Sequence, residues 1–281
     1  MNNIGDKIRE RILDHPTLWA VATLLFLFCL YQLTIFESWE ACPVATNKCE
    51  IEEEDYNNCN VAKINLKGYI DVYDYEDGDI SSEAIAWEIE RANKTNGIKA
   101  IILDIDSGGG SPVGGEEIAN ALSRAYNPTV ALIRDMGISA AYQAAVGADI
   151  IFASVYSDIG SIGITSSYLE YSKMNQEKGI TYNKLSSGKF KDMFSSEKPL
   201  TYEERLLIER DLEILHNNFV EFVAERRELD LDKVRALADG SSMVGQMALD
   251  NGLIDQIGNL YDVRQYLEDL IGEEVVLCEE Y

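Results

Sequence analysis

The sequence predicts an α/β body with a largely parallel sheet, preceded by one membrane-spanning helix. Three observations carry this. The runs KAIILDID, TVALIRD and DIIFA are short, rich in aliphatic and β-branched residues and bounded by turn residues, as buried strands are. Helical patterns lie between them, and strands that alternate with helices imply parallel pairing. Ahead of both, residues 16–36 carry no charge over a length that matches a bilayer core of roughly 30 Å.

From the amino terminus, the order reads as a cytoplasmic tail (1–15), a transmembrane anchor (16–36), an acidic, cysteine-containing linker (37–60) and a folded body (61–281). After the apolar run comes ESWEACPVA, where Glu40 and Pro43 crowd the positions at which cleavage needs small residues, so the anchor is read as uncleaved. Lys7, Arg9 and Arg11 precede the run and only Lys48 follows closely, which places the body outside the cytoplasm. Cys42, Cys49, Cys59 and Cys278 would then lie in an oxidising compartment, with their pairing open. Two histidines and no CxxC pair argue against a zinc site. A formal charge of −25 repels phosphate backbones and argues against a nucleic-acid role, and the EIEEEDY cluster reads as solvated linker.

Within the body, SEAIAWEIERA places Ile85, Ile89 and Ala92 on one helix face, and GEEIANALSRA does the same for Ile118 and Leu122. The longest helix opens at Thr201, with Glu204 completing a capping box. Ile208, Leu212, Leu215, Phe219 and Phe222 then form an apolar stripe, read as core or subunit contact rather than chemistry. No repeat is visible, so the body is one domain of about 220 residues.

The chemistry centres on GISAAYQAAVGAD, where Ser139 stands before small residues at the start of a helix. A serine nucleophile needs a base. Of two histidines, His15 lies beyond the membrane and His216 sits on the long helix, so composition argues against a Ser-His pair. Lysine can serve when burial lowers its pKa from about 10.4; a drop of about three units corresponds to roughly 4 kcal/mol. KLSSGKFKDMF offers Lys184, Lys189 and Lys191, and local composition favours none of them; an extended strand would put Lys189 and Lys191 on one side. An oxyanion also needs N–H donors. In DSGGGSPVGG, Gly109 and Gly110 can bring bare backbone close to a carbonyl, and Ala140 offers the N–H after the serine. The absence of GKS or GKT after the glycines argues against a nucleotide loop.

The order of SGGG, MGISAAY, GADIIFA, DIGSIGI and SGKFKD resembles the SppA-type signal peptide peptidases, membrane-anchored serine peptidases with a Ser-Lys dyad, over about Ala62 to Asn259. The resemblance implies a Clp/crotonase-like core of repeated ββα units with a long carboxyl-terminal helix, a homo-oligomer and no cofactor. It makes residues 61–281 the peptidase domain, with Ser139 as nucleophile and Lys191 as base. Gly110 and Ala140 would form the oxyanion hole, and Ser161 would orient the lysine. Expected substrates are signal-peptide remnants or other apolar, unfolded peptides at the outer face of the cytoplasmic membrane. Two rivals stay open: a processing protease for one membrane-protein partner, and a catalytically silent scaffold. The chain departs from the family's SGGYY with SAAYQ and from its SPGG with SGGG. The methyl groups of Ala140 and Ala141 are expected to tighten the substrate wall, and Gly108 to loosen the turn.

Overall fold

The computed structural model describes residues 59–73 and 79–278. The tail, the anchor and the linker up to residue 58 lie outside them. Among the described residues no helix is long and apolar enough to cross a membrane.

The chain runs β1 (Val61–Asp71), β2 (Asp79–Ser81), α1 (Ser82–Lys94), β3 (Ala100–Gly110), α2 (Pro112–Ser123), β4 (Thr129–Ile138), α3 (Ala140–Ala145), β5 (Ile150–Ala153) and β6 (Asp158–Gly160). After a long, mostly exposed segment come α4 (Ser172–Glu177), α5 (Tyr202–Arg226), α6 (Leu231–Leu237), β7 (Ser242–Val244), α7 (Gly245–Asn251), β8 (Gln256–Ile257), α8 (Leu260–Ile271) and β9 (Leu277–Cys278). The sheet order is β2-β1-β3-β4-β5-β8, with β6 beside β4 and β9 beside β1. These pairings are parallel, and β6–β7 alone among the described strands is antiparallel. The expected strands are thus β3, β4 and β5.

Strand alternation divides the interior in two. Ile101, Leu103 and Ile105 of β3 join Ile85 and Ile89 of α1, Ile118 and Leu122 of α2, and Phe219 and Val223 of α5 in the larger core. Ala100 and Ile102 face the other way, onto Val263 and Leu267 of α8. Asp104 follows two residues after Ile102 and is buried. Its carboxylate is met by Lys63 at 3.4 Å and Arg134 at 3.3 Å, with Lys67 at 3.9 Å. A buried carboxylate without such partners would be strongly destabilising.

Thr201 and Glu204 form the capping box of α5, and Lys198 reaches the same carboxylate at 2.7 Å. Those contacts, the Lys198 hydrogen bond above all, hold the Glu204 carboxyl below its ordinary range. Two expectations for this helix need correction. Its apolar stripe is buried only toward the carboxyl end, where Phe219 is joined by Val220, Val223 and Ala224, while Leu215 is exposed and Ile208 and Leu212 are half-buried. Nor does the long helix close the chain, because α6, α7, α8 and three short strands follow it. Those later elements complete the sheet edges and cover its second face.

Of the cysteines, Cys59 and Cys278 are joined by a disulfide across a sequence separation of 219. The bond ties the start of β1 to β9, which pairs with it. Cross-linking so distant a pair restricts the unfolded chain strongly. Cys278→Ser is therefore expected to lower the unfolding free energy by about 2–5 kcal/mol. Denaturant unfolding should show reductant destabilising the parent by the same amount and leaving the variant unaffected.

Candidate active site

Strand β4 ends at Ile138, and Ser139 is the cap from which α3 begins. Its backbone stands at φ 55°, ψ −127°, a region that non-glycine residues occupy only when their surroundings impose it. The restraints are visible. Ser139 N donates to Gly160 O at 2.8 Å, and Gln143 N donates to Ser139 O at 2.9 Å. The Ser139 side chain makes no capping hydrogen bond, and its hydroxyl at the amino end of α3 has no partner among the described residues.

The glycine run closes on this serine from β3. A Cβ built at Gly109 would lie 2.8 Å from Ser139 Cβ and 2.9 Å from Ala140 N, and the φ of +94° there also excludes ordinary side chains. Ser111 N donates to Ile70 O at 2.7 Å, so the amide of residue 111 faces β1. Gly110 precedes it as the last residue of β3. Ala140, the first residue of α3, has no helical acceptor for its N–H. The two expected oxyanion donors thus lie at the end of β3 and at the start of α3.

Ser107 was not singled out by its residue type, yet it organises this loop. It is buried, its hydroxyl donates to Gly68 O at 2.5 Å, and it accepts from Gly109 N at 3.1 Å. That clamp limits the looseness expected of Gly108. The expected narrowing by Ala140 and Ala141 is corrected too: both are buried within the larger core, so their methyl groups fill the interior instead of the substrate wall. Gly115 lets α2 approach α3 closely, since a Cβ there would meet Ala140 O at 2.6 Å.

Ser161 follows Gly160, the residue that holds Ser139 N, and has φ 49°. Its hydroxyl donates to Gly240 O at 2.9 Å, leaving the oxygen lone pairs as acceptors. The lysines lie on the exposed segment between β6 and α5. Residues 189–194 form turns there, so the strand alternation expected of them does not occur. Lys184 pairs with Asp192 at 2.5 Å, and its hydrogen bond holds the Asp192 carboxyl below the usual range. Lys189 pairs with Glu203 at 2.6 Å. Lys191 is exposed and has no ion pair among the described residues, and no hydrogen bond joins its amine to Ser139. His216 is committed elsewhere, its Nε2 lying 2.9 Å from Ala238 O.

The model of peptidase family S49 matches residues 121–273, a span that holds Ser139, Ala140, Ser161 and Lys191 and begins after Gly110. A protein described as a protease in Methanocaldococcus jannaschii is 29% identical over 184 residues, 65% of this chain and 59% of its own. One described as a signal peptide peptidase SppA in Enterococcus faecium is 29% identical over 228 residues, 78% of this chain and 66% of its own. A protein described as a protease in Synechocystis is 31% identical over 175 residues, covering 62% and 63%. The chain thus spans less than two thirds of the length of these relatives. Among solved structures, a mutant of a membrane-bound stomatin-specific protease covers 74% of this chain and 84% of its own, at 16% identity and a TM-score of 0.48.

The close approach of Gly109 to Ser139 can be tested directly. Gly109→Ala is expected to leave a folded domain while displacing the serine by the better part of an ångström, enough to cost about 100-fold in reactivity. The measurement is the rate of Ser139 labelling by a serine-directed phosphonate, with circular dichroism confirming the fold.

Proposed function

Because the chain belongs to peptidase family S49, we propose that it is a serine endopeptidase in which Ser139 and Lys191 form the catalytic dyad. Ser139 Oγ attacks the peptide carbonyl as Lys191 takes its proton, and the N–H groups of Gly110 and Ala140 receive the developing oxyanion. The lysine then gives that proton to the leaving amine as the C–N bond breaks. Water, losing a proton to the same lysine, releases the acyl group and restores Ser139.

One observation carries this reading: the Ser139 hydroxyl, on a positive-φ turn at a helix start beside the glycine run, has no partner among the described residues. Lys191 is favoured over its neighbours because Lys184 and Lys189 are engaged in ion pairs with Asp192 and Glu203, whereas Lys191 has none among the described residues. Ser161 suits the orienting role because its oxygen has lone pairs to offer the amine. A lysine works as a base only where its surroundings disfavour the ammonium, so the exposed segment must be covered by substrate or a second copy. Exposed Leu169 and Leu185 on that segment support assembly into a homo-oligomer.

The reading includes tethering by residues 16–36 with the domain at the outer face of the cytoplasmic membrane. The Cys59–Cys278 disulfide favours such an oxidising compartment. Signal-peptide remnants and other apolar or unfolded peptides are the substrates, since anchor and substrate gather at one surface. The domain needs no cofactor for this chemistry.

Ser139→Ala is expected to abolish cleavage of a mixed peptide library without altering the fold. Lys191→Arg should be as inactive as Lys191→Ala, because a guanidinium keeps its proton throughout the working range. Lys184→Ala and Lys189→Ala should stay within a few-fold of the parent. The parent's rate should rise with pH and then stay high, as a base that works neutral requires. Substantial activity in Lys191→Arg would reduce the lysine to a charge and reopen the choice of base. Topology has its own check: a protease-sensitive reporter placed after Tyr281 should be cut from outside intact cells, and protection until the inner membrane is lysed would reverse the orientation.

A further inference from the structure

We propose that a cavity beside the nucleophile helix is a side-chain subsite selective for a long basic residue, lysine or arginine, next to the scissile bond. The proposal rests on the peptidase reading and narrows it, from apolar or unfolded peptides in general to those that carry a lysine or arginine at this one position. The cavity has a volume of about 370 Å³. Three of its walls are the continuations of the three pieces of the candidate site. Pro112 and Val113 follow the oxyanion glycines, Gln143 lies one turn after Ser139, and Ile164 comes three residues after Ser161. The fourth wall is α5, with Phe219 and Phe222. A peptide bound across Ser139 therefore has this cavity within reach of a neighbouring side chain.

Its chemistry is uneven. Val113, Ile164 and the two phenylalanines supply apolar surface, which suits an aliphatic stem. Glu116, Glu221 and Glu225 also line it, whereas no lysine or arginine does. None of these carboxylates is in a salt bridge or side-chain hydrogen bond among the described residues. Arg226, adjacent in sequence to Glu225, lies 5.2 Å from the centre of the Phe222 ring, a wall of the cavity, and its guanidinium donates to Ser123 Oγ and Asn120 Oδ1.

Gln143 is the second, independent sign of a ligand. It is only 8% exposed, lines the cavity, and its side-chain amide has no hydrogen-bond partner among the described residues. The amide atoms are not sealed from solvent, so they are open to a ligand that enters the cavity. A lysine or arginine head offers the Oε1 a donor and offers the rim a cation. A short apolar side chain leaves the amide unpaired, and an acidic one meets three carboxylates.

The test uses the full chain and two sets of fluorogenic peptides, each identical except for lysine, arginine, norleucine or glutamate on one side of the scissile bond, with products identified by mass spectrometry. In one of the sets, lysine and arginine should exceed norleucine about ten-fold in kcat/KM, with glutamate poorest. That preference should shrink as salt screens the rim. Glu221→Gln with Glu225→Gln should cut the lysine-to-norleucine ratio about five-fold, as two partly exposed charge contacts would. Gln143→Met should shift the ratio further toward norleucine. A second arm measures equilibrium binding of the same peptides to the Ser139→Ala chain and does not depend on turnover. Equal or better performance by norleucine in both arms would overturn the subsite, as would a ratio untouched by the double glutamate variant. If the parent cleaves nothing, the peptidase reading fails, and a lysine preference in binding still supports the subsite.

Discussion

The strained backbone of Ser139 is the constraint around which the other parts are arranged. At φ 55°, ψ −127° it costs on the order of 1–3 kcal/mol, so its neighbours must over-determine it. Gly160 holds its N–H and Gln143 its carbonyl, while Gly109 leaves no room for it to move toward β3. Behind it, Ala140, Ala141 and Tyr142 are buried, and the Tyr142 hydroxyl donates to Leu253 O at 2.7 Å. Burial pushes that phenol well above its ordinary range, so it stays a neutral donor. Asp255, two residues beyond Leu253, accepts from Ile151 N and from Arg227 at the end of α5. Elements far along the chain thus hold one serine in place.

Much of this was legible where the signal is local. The strands β3, β4 and β5 announce themselves as aliphatic runs, and the buried faces of α1 and α2 follow from the spacing of Ile85, Ile89, Ile118 and Leu122. The capping box at Thr201 and Glu204 is a contact between residues three apart and reads directly. Ser139 at a helix start was legible for the same reason.

What sequence reasoning missed depends on contacts between distant segments. The Cys59–Cys278 pairing needs β9 to return beside β1. Ser107 looks like any serine before glycines until β1 supplies the Gly68 carbonyl. Gln143 gains significance only when α5 packs across α3 and closes a cavity over it. The methyl groups of Ala140 and Ala141 were misassigned because a motif shows which residues are present and not which way they face. On α5 the stripe continues past the end of the core, since periodicity records a face without recording how much of it is covered.

The nucleophile and the proposed base belong to parts of very different rigidity. Ser139 is set in a parallel sheet and a dense core, whereas Lys191 stands on an exposed segment whose own contacts are mainly turns and surface ion pairs. Exposed pairs such as Lys189–Glu203 contribute little stability. A nucleophile must be placed to within a fraction of an ångström, which requires the core. A lysine base has the opposite need, because it must lose its water when substrate is present and can remain solvated otherwise. Under the proposed dyad, a rigid frame for the serine and a coverable segment for the lysine would meet both needs.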